Sequence, residues 1–338
     1  MKAALTTEQA MLHDLADSIG TKFGLQTPGE VPAPGQVPAP GEVPASRGAD
    51  PAWVALEQAG LTDIVASVEG ARWNCVEAAV IVRALARRLC PTPYLGQAVL
   101  APSLLRAARI PGGPRLAVGL DTDLRFPASG EGIAEGIAFD SADAELSVRV
   151  GAEGDVALHA LGERLPCADI TRSLHRIGDR SGGVLGTLDA EAHRRWVALA
   201  LTAISADLLG VAEAALTSAV EYAKQREQYG RPIGANQAIQ HLLAEQAVSL
   251  EGAKAAVFHA AWAVDEAPTD EAMSAARVAK AFLSRIGQRV AEATIQVFGG
   301  LGMTWEAMPH VYLRRVLLDG VLLGDERHQL SCIAAART

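Results

Sequence analysis

Apolar residues recur every three or four positions from Glu191 to Lys224, from Ile239 to Val264, from Asp270 to Val297 and from Val311 to Leu318, the period of packed helices. Breaks fall at Gly230-Arg231-Pro232 and Ala267-Pro268, so the pattern predicts a bundle of long, Ala-rich helices over residues 188–338. Upstream, Pro51 to Leu89 also has a helical period. Trp53, Leu56 and Leu61 flank Gly60, and Val76, Ala79, Val80, Val82, Ala86 and Leu89 follow at three and four. Cys90-Pro91-Thr92-Pro93 stops that run, and a shorter helix over Ala98 to Ala108 ends before Pro111-Gly112-Gly113-Pro114. Then the period changes. Leu116 to Leu120, Gly136 to Phe139, Leu146 to Val150 and Val156 to Leu158 are short apolar runs bounded by Gly, Asp and Ser, which predicts a small β domain. The expected class is α+β, mostly α: a helical domain over 1–92, a reduced β domain over 93–187 and a helical bundle over 188–338.

Composition narrows the function classes. The 338 residues are 49% apolar and 20% charged, enough for a large core and unlike a disordered chain. A formal net charge of −9, with no clustered basic stretch, speaks against nucleic acid or an anionic membrane as partner. Cys75, Cys90, Cys167 and Cys332 lie far apart without a CxxC spacing, which fits a reducing compartment and a cytoplasmic location. Met1 to Gly20 carries Glu8, His13, Asp14 and Asp17 among its apolar residues and does not read as a signal peptide. The long apolar run Trp196 to Val220 is interrupted by Asp207 and Glu213, so it is expected as a core helix rather than a membrane span. Three near-copies of Pro-Gly-Glu/Gln-Val-Pro-Ala fill Thr27 to Ser46; prolines this dense remove amide donors and predict an extended spacer.

Two stretches carry candidate chemistry. The first is Arg226-Glu227-Gln228-Tyr229-Gly230, running on to Pro232-Ile233-Gly234 and Gln237; the second is Gln296-Val297-Phe298-Gly299-Gly300-Leu301-Gly302. A guanidinium at a helix end and glycines that admit backbone amides are the groups that a pyrophosphate requires. Each stretch alone is weak, since a helix-end Arg commonly meets the last carbonyls and glycine runs are commonly turns. His193, His241, His259, His310 and His328 show no paired metal spacing, and Ser181 does not sit in G-x-S-x-G.

Jointly, the two stretches are similar to R-x-Q-F-G-x-P-I and Q-x-x-G-G-x-G-x-T-x-E in the acyl-CoA dehydrogenase family, and Trp53 to Leu100 resembles that family's opening helical domain more loosely. The resemblance implies a helical domain, a central β domain and a C-terminal four-helix bundle whose motifs reach across a dimer interface to FAD held mainly by a neighbour. Carried over, Arg226 and Gln228 contact the pyrophosphate, Tyr229 and Gln237 line the cofactor, and Gln296, Gly299 and Gly300 cradle the adenosine side.

Two departures stand against self-sufficiency. Where the family has a T-E-P-x-x-G-S-D loop for the flavin ring and thioester, this chain has Gly119-Leu120-Asp121-Thr122-Asp123-Leu124. Oxidation at Cα–Cβ needs a carboxylate to take the α proton, yet the family's usual position for it holds Leu323, and a second known position, 26 residues before Arg226, holds Ala200. The expectation is therefore a non-catalytic subunit of a heterotetramer, α2β2, of the kind known from actinobacterial steroid side-chain breakdown. The partner would supply the catalytic glutamate and the acyl-CoA pocket, with an electron-transfer flavoprotein as acceptor. A homomeric enzyme using Asp325 or Glu326 as base and a scaffold without flavin are the alternatives.

Overall fold

A computed structural model describes residues 5–27, 50–66, 73–125, 136–151 and 153–336. The Pro-rich spacer, Thr27 apart, lies outside them. Helix α1 (Thr7–Phe23) opens the described chain, and Thr6 starts it by a reciprocal cap: its hydroxyl accepts from the Gln9 N–H at 3.2 Å while Gln9 Oε1 accepts from the Thr6 N–H at 3.0 Å. The helical stretch expected over Pro51 to Leu89 is two helices, α2 (Pro51–Gln58) and α3 (Cys75–Arg87). A π-helical turn (Leu95–Leu100) runs directly into α4 (Ala101–Ala107), three residues earlier than the sequence pattern suggests, because every residue from Leu95 to Ala101 is buried and the apolar period starts with them.

The β domain is a closed five-stranded barrel in the order β1-β2-β5-β4-β3, formed by β1 (Leu116–Leu120), β2 (Ile137–Phe139), β3 (Leu146–Val150), β4 (Asp155–Leu165) and β5 (Leu174–Thr187). Strands β1 and β3 pair in parallel, with Val118 opposite Val148, and close the barrel. Strand β4 is eleven residues long where only Val156 to Leu158 is apolar enough to be predicted, and β5 is not predicted at all. The polar Asp179-Arg180-Ser181 and Gly182-Gly183 hide it, yet the ladder to β4 holds through several bulges.

The bundle consists of α5 (Ala190–Gln225), α6 (Gln237–Glu266), α7 (Thr269–Phe298) and α8 (Pro309–Val321), followed by α9 (Glu326–Ala335). Asp189 caps α5, its Oδ1 accepting from the Ala192 N–H at 2.7 Å. The apolar run expected as a core helix is the buried middle of α5, where Thr202 and Ser205 return their hydroxyls to carbonyls four residues back at 2.8 and 2.7 Å. Helix α3 crosses α5 at Gly210, where an added Cβ would stand 2.3 Å from the Arg83 carbonyl oxygen. A short antiparallel hairpin, β6 (Glu227–Gln228) and β7 (Arg231–Pro232), interrupts the helices at the predicted break.

A fully buried ionic cluster ties the barrel to the bundle. Arg172, just before β5, donates to Asp140 Oδ2 at 2.8 Å and to Asp207 Oδ2 of α5 at 2.7 Å. Arg315 of α8 donates to both Asp207 oxygens, at 2.9 and 2.8 Å, and to Thr171 Oγ1 at 2.8 Å. Asp207 is thus doubly paired, and Arg315 and Arg172 hold its carboxyl far below the usual carboxylate range against the opposing effect of burial. Asp319 is compensated less. Its oxygens lie 3.9 Å from Arg172 and Arg315, and burial with the charge of Asp207 pushes its carboxyl well above the usual range against the attraction of the two guanidiniums.

Candidate functional site

Helix α5 ends at Arg226, whose N–H still bonds the Tyr222 carbonyl at 2.8 Å while its own backbone turns extended (φ −72°, ψ 120°). Tyr229 (φ 52°) and Gly230 (φ 76°) then make a two-residue reversal with both φ positive, the conformation of a tight hairpin turn. The hairpin is pinned at its base by the Ile233 N–H to the Arg226 carbonyl, 2.8 Å. Arg226, Gln228 and Tyr229 are all solvent-exposed, Tyr229 completely, and the Arg226 guanidinium has no ion-pair or hydrogen-bond partner among the described residues. Gln237 starts α6, also exposed.

The second stretch comes from the end of α7. Gln296 is exposed on the last helical turn, and Gly299 (φ 63°, ψ −141°) stops the helix in a conformation that needs glycine. No atom lies within 4 Å of an ideal Cβ at Gly299 or Gly300, so their backbone faces open space. About seventy residues separate the stretches in sequence, and a small apolar cluster joins them in space. Ala219, Ala223, Ile233 and Val297 are buried together with Tyr222, Ile239, Leu242 and Leu243 packed around them, and the Tyr222 ring stacks on Phe298 with centroids 4.0 Å apart. An unpaired guanidinium, exposed amide side chains and an open glycine backbone fit the phosphate end of a dinucleotide approached from outside the chain.

The expected base positions offer no such chemistry. Ala200 is wholly buried within α5. Leu323 is buried in the turn between α8 and α9 with φ 57°, its N–H donating to the Leu124 carbonyl at 2.9 Å and its carbonyl accepting from Gln329 Nε2 at 2.8 Å. Leu124 (φ 58°) belongs to the segment after β1, where Asp121 Oδ1 gathers the N–H groups of Asp123 and Arg125 at 2.9 and 2.7 Å. The turn after β1, where the ring-holding loop was expected, is therefore bonded to Leu323, at the expected base position.

Asp325 and Glu326 have other work. Asp325 caps α9, accepting from the His328 N–H at 2.8 Å, and Glu326 pairs with Arg285. Beneath this turn lies Lys280, a residue the sequence pattern did not single out. Its Nζ donates to Gly320 O at 2.7 Å, Gly324 O at 3.2 Å and Ser284 Oγ at 3.1 Å, and burial pulls its pKa down to about 7 against the pull of Asp319 and Asp325. A charged residue inside the apolar α7 period was the available signal.

Residues 199–337 match the acyl-CoA dehydrogenase C-terminal domain. The chain is 31% identical over 297 residues to acyl-CoA dehydrogenase IpdE2 of Mycolicibacterium smegmatis, covering 85% of this chain and 88% of that one. Among solved structures, the Tcur3481-Tcur3483 steroid ACAD superposes with a TM-score of 0.76 at 26% identity, covering 97% of both chains. The ChsE4-ChsE5 complex from Mycobacterium tuberculosis gives 0.79 at 24% identity, covering 100% of both, a likeness of fold. With a relative this similar across most of both chains, the protein belongs to the acyl-CoA dehydrogenase family, FAD-dependent oxidoreductases.

Proposed function

We propose that this chain is the non-catalytic subunit of a heteromeric acyl-CoA dehydrogenase, lending Arg226, Gln228, Tyr229, Gln237, Gln296, Gly299 and Gly300 to an FAD held mainly by a catalytic partner. The observation that carries the reading is the occupation of the usual base position by Leu323, bonded to Leu124. Leucine cannot take a proton, and among the described residues the two neighbouring acids are engaged otherwise, Asp325 in a helix cap and Glu326 with Arg285. The homomeric alternative with either acid as base is disfavoured on that ground.

When bound, FAD accepts the hydride leaving Cβ of the acyl-CoA. This chain's part is binding: the Arg226 fork meets phosphate oxygens and the exposed glycine backbone offers N–H groups, both supplied from outside the partner's pocket. The partner would supply the glutamate that takes the α proton, and an electron-transfer flavoprotein would be the electron acceptor. Division into 1–92, 93–187 and 188–338, an α2β2 assembly and a cytoplasmic location belong to the same reading. The Tcur3481-Tcur3483 protein is described as a steroid ACAD, which makes a bulky steroid-type CoA thioester the substrate class to test first. The experiment is co-expression with candidate catalytic subunits, reading the flavin spectrum and dehydrogenase activity of the purified complex. Flavin and activity that appear only in the complex support the proposal; a yellow, active homomer overturns it.

A further inference from the structure

A cavity of about 540 Å³ lies between α2, α4 and the Pro111-Gly112-Gly113-Pro114 loop that leads into β1. Its volume is that of a small-molecule site. Three arginines line it, Arg106, Arg109 and Arg115, against two acids, Glu57 and Asp63, in a chain whose formal net charge is −9.

Arg115 is held in advance. Its guanidinium lies over the Trp53 ring at 3.9 Å, and its Nε donates to Gln97 Oε1 at 2.8 Å. Gln97 is itself fixed, its Nε2 donating to the Asp140 and Ala142 carbonyls at 2.6 and 2.7 Å, which leaves Oε1 facing Arg115. Glu57 is engaged by Trp53 rather than by Arg115, its Oε1 accepting the indole N–H at 2.8 Å. Asp50, Asp143 and Glu57 influence Arg115 through charge, yet none pairs with it, and its Nη2 is buried with no hydrogen-bond partner among the described residues. A shielded guanidinium donor left without an acceptor is costly unless an anion completes it. Arg106 adds a second cation, steadied over Trp73 at 5.3 Å and by the Val65 carbonyl at 3.3 Å, and Arg109 stands exposed on the left-handed turn (φ 56°) that ends α4.

The geometry points to a binding site for a small anion, a carboxylate or a phosphate group, seated against Arg115 with Arg106 and Arg109 beside it. A planar fork with Nε already engaged and Nη2 unpaired favours a ligand that presents two oxygens in one plane. None of these residues belongs to the flavin-facing stretches, so the inference does not depend on the subunit assignment.

Calorimetric titration of the full-length chain with inorganic phosphate and, separately, sodium acetate, at ionic strength matched with chloride, tests it. Saturable binding of either is expected; phosphate alone identifies a phosphate site and acetate alone a carboxylate site. Arg115→Gln should weaken binding about tenfold or more, Arg115→Lys less, and Arg109→Ala, at an exposed position where folding is safe, about threefold. Melting of each variant near that of the wild type shows that the loss is one of binding; where Arg115→Gln fails to fold, Arg109→Ala decides. No saturable binding of either anion, or unchanged affinity in Arg109→Ala together with a folded Arg115→Gln, overturns the proposal.

Discussion

The backbone N–H of Leu323 donates to the carbonyl of Leu124 at 2.9 Å, with both residues in the left-handed region at φ 57° and 58°. This bond joins the C-terminal turn to the turn after β1, the two places where the sequence resemblance puts the base and the ring-holding loop. A glutamate introduced at 323 would enter a buried, closed site. Leu323→Glu is expected to confer no dehydrogenase activity on the isolated chain and to lower its stability by about 3 kcal/mol, from a lost apolar side chain and a buried carboxyl. Activity assay and urea unfolding check both parts; measurable turnover would show that the site is open.

The acids beside Leu323 give a second expectation. In the assembled complex, Asp325→Asn and Glu326→Gln should leave turnover near wild type. Asp325→Ala should cost about 1 kcal/mol of stability through the lost α9 cap. A large loss of turnover with flavin content intact in either variant would restore these acids as candidate bases.

Lys280 makes the third. Its pKa is pulled from 10.5 down to about 7 in the fold, so the unfolded chain binds more protons between those values and the lysine's contribution to stability rises with pH across that window. Urea midpoints at pH 7 and pH 10 for wild type and Lys280→Met should show wild type gaining relative to the variant at the higher pH. A constant difference would mean that Lys280 titrates normally.

The cluster between barrel and bundle separates two aspartates. Asp207→Asn removes the shared partner of Arg172 and Arg315 and should cost about 3–5 kcal/mol, the range for breaking a buried pair. Asp319→Asn, at a carboxyl whose proton affinity burial raises and whose nearest guanidiniums stand 3.9 Å away, should cost far less. Because Asp207 is held below its ordinary value, its contribution is present above that value and is lost as pH falls through the still lower folded one. Equal losses in the two variants, read by chemical unfolding at neutral pH, would contradict this assignment.

Legibility in the sequence followed the range of the interactions. Helices α5, α6 and α7 announce themselves because their faces repeat at three and four, and the hairpin between the first two because Gly230 and Pro232 break the period. Helix α9 was not singled out, and β5 was hidden because Gly178, Gly182 and Gly183 interrupt its side-chain pattern while its ladder to β4 holds it extended. Arg226 and Gly299 were legible as a pair of motifs, but the Tyr222–Phe298 stack that brings their stretches together is a contact between distant elements. The same holds for Asp207. It appears in sequence as a charge spoiling an apolar run and in the fold as the centre of an ionic cluster whose partners come from the barrel and α8.

If this chain completes its partner's flavin site, Arg226 makes the charge-assisted contact to the pyrophosphate in the assembled complex. Retained FAD per complex and dehydrogenation rate should be measured for wild type, Arg226→Ala and Arg226→Lys. Arg226→Ala should weaken FAD retention by about 1.5–3 kcal/mol, the range for a hydrogen bond to a charged group, and lysine should recover only part of it because an ammonium lacks the planar fork. Full FAD retention in Arg226→Ala would contradict the claim that this chain completes its partner's flavin site.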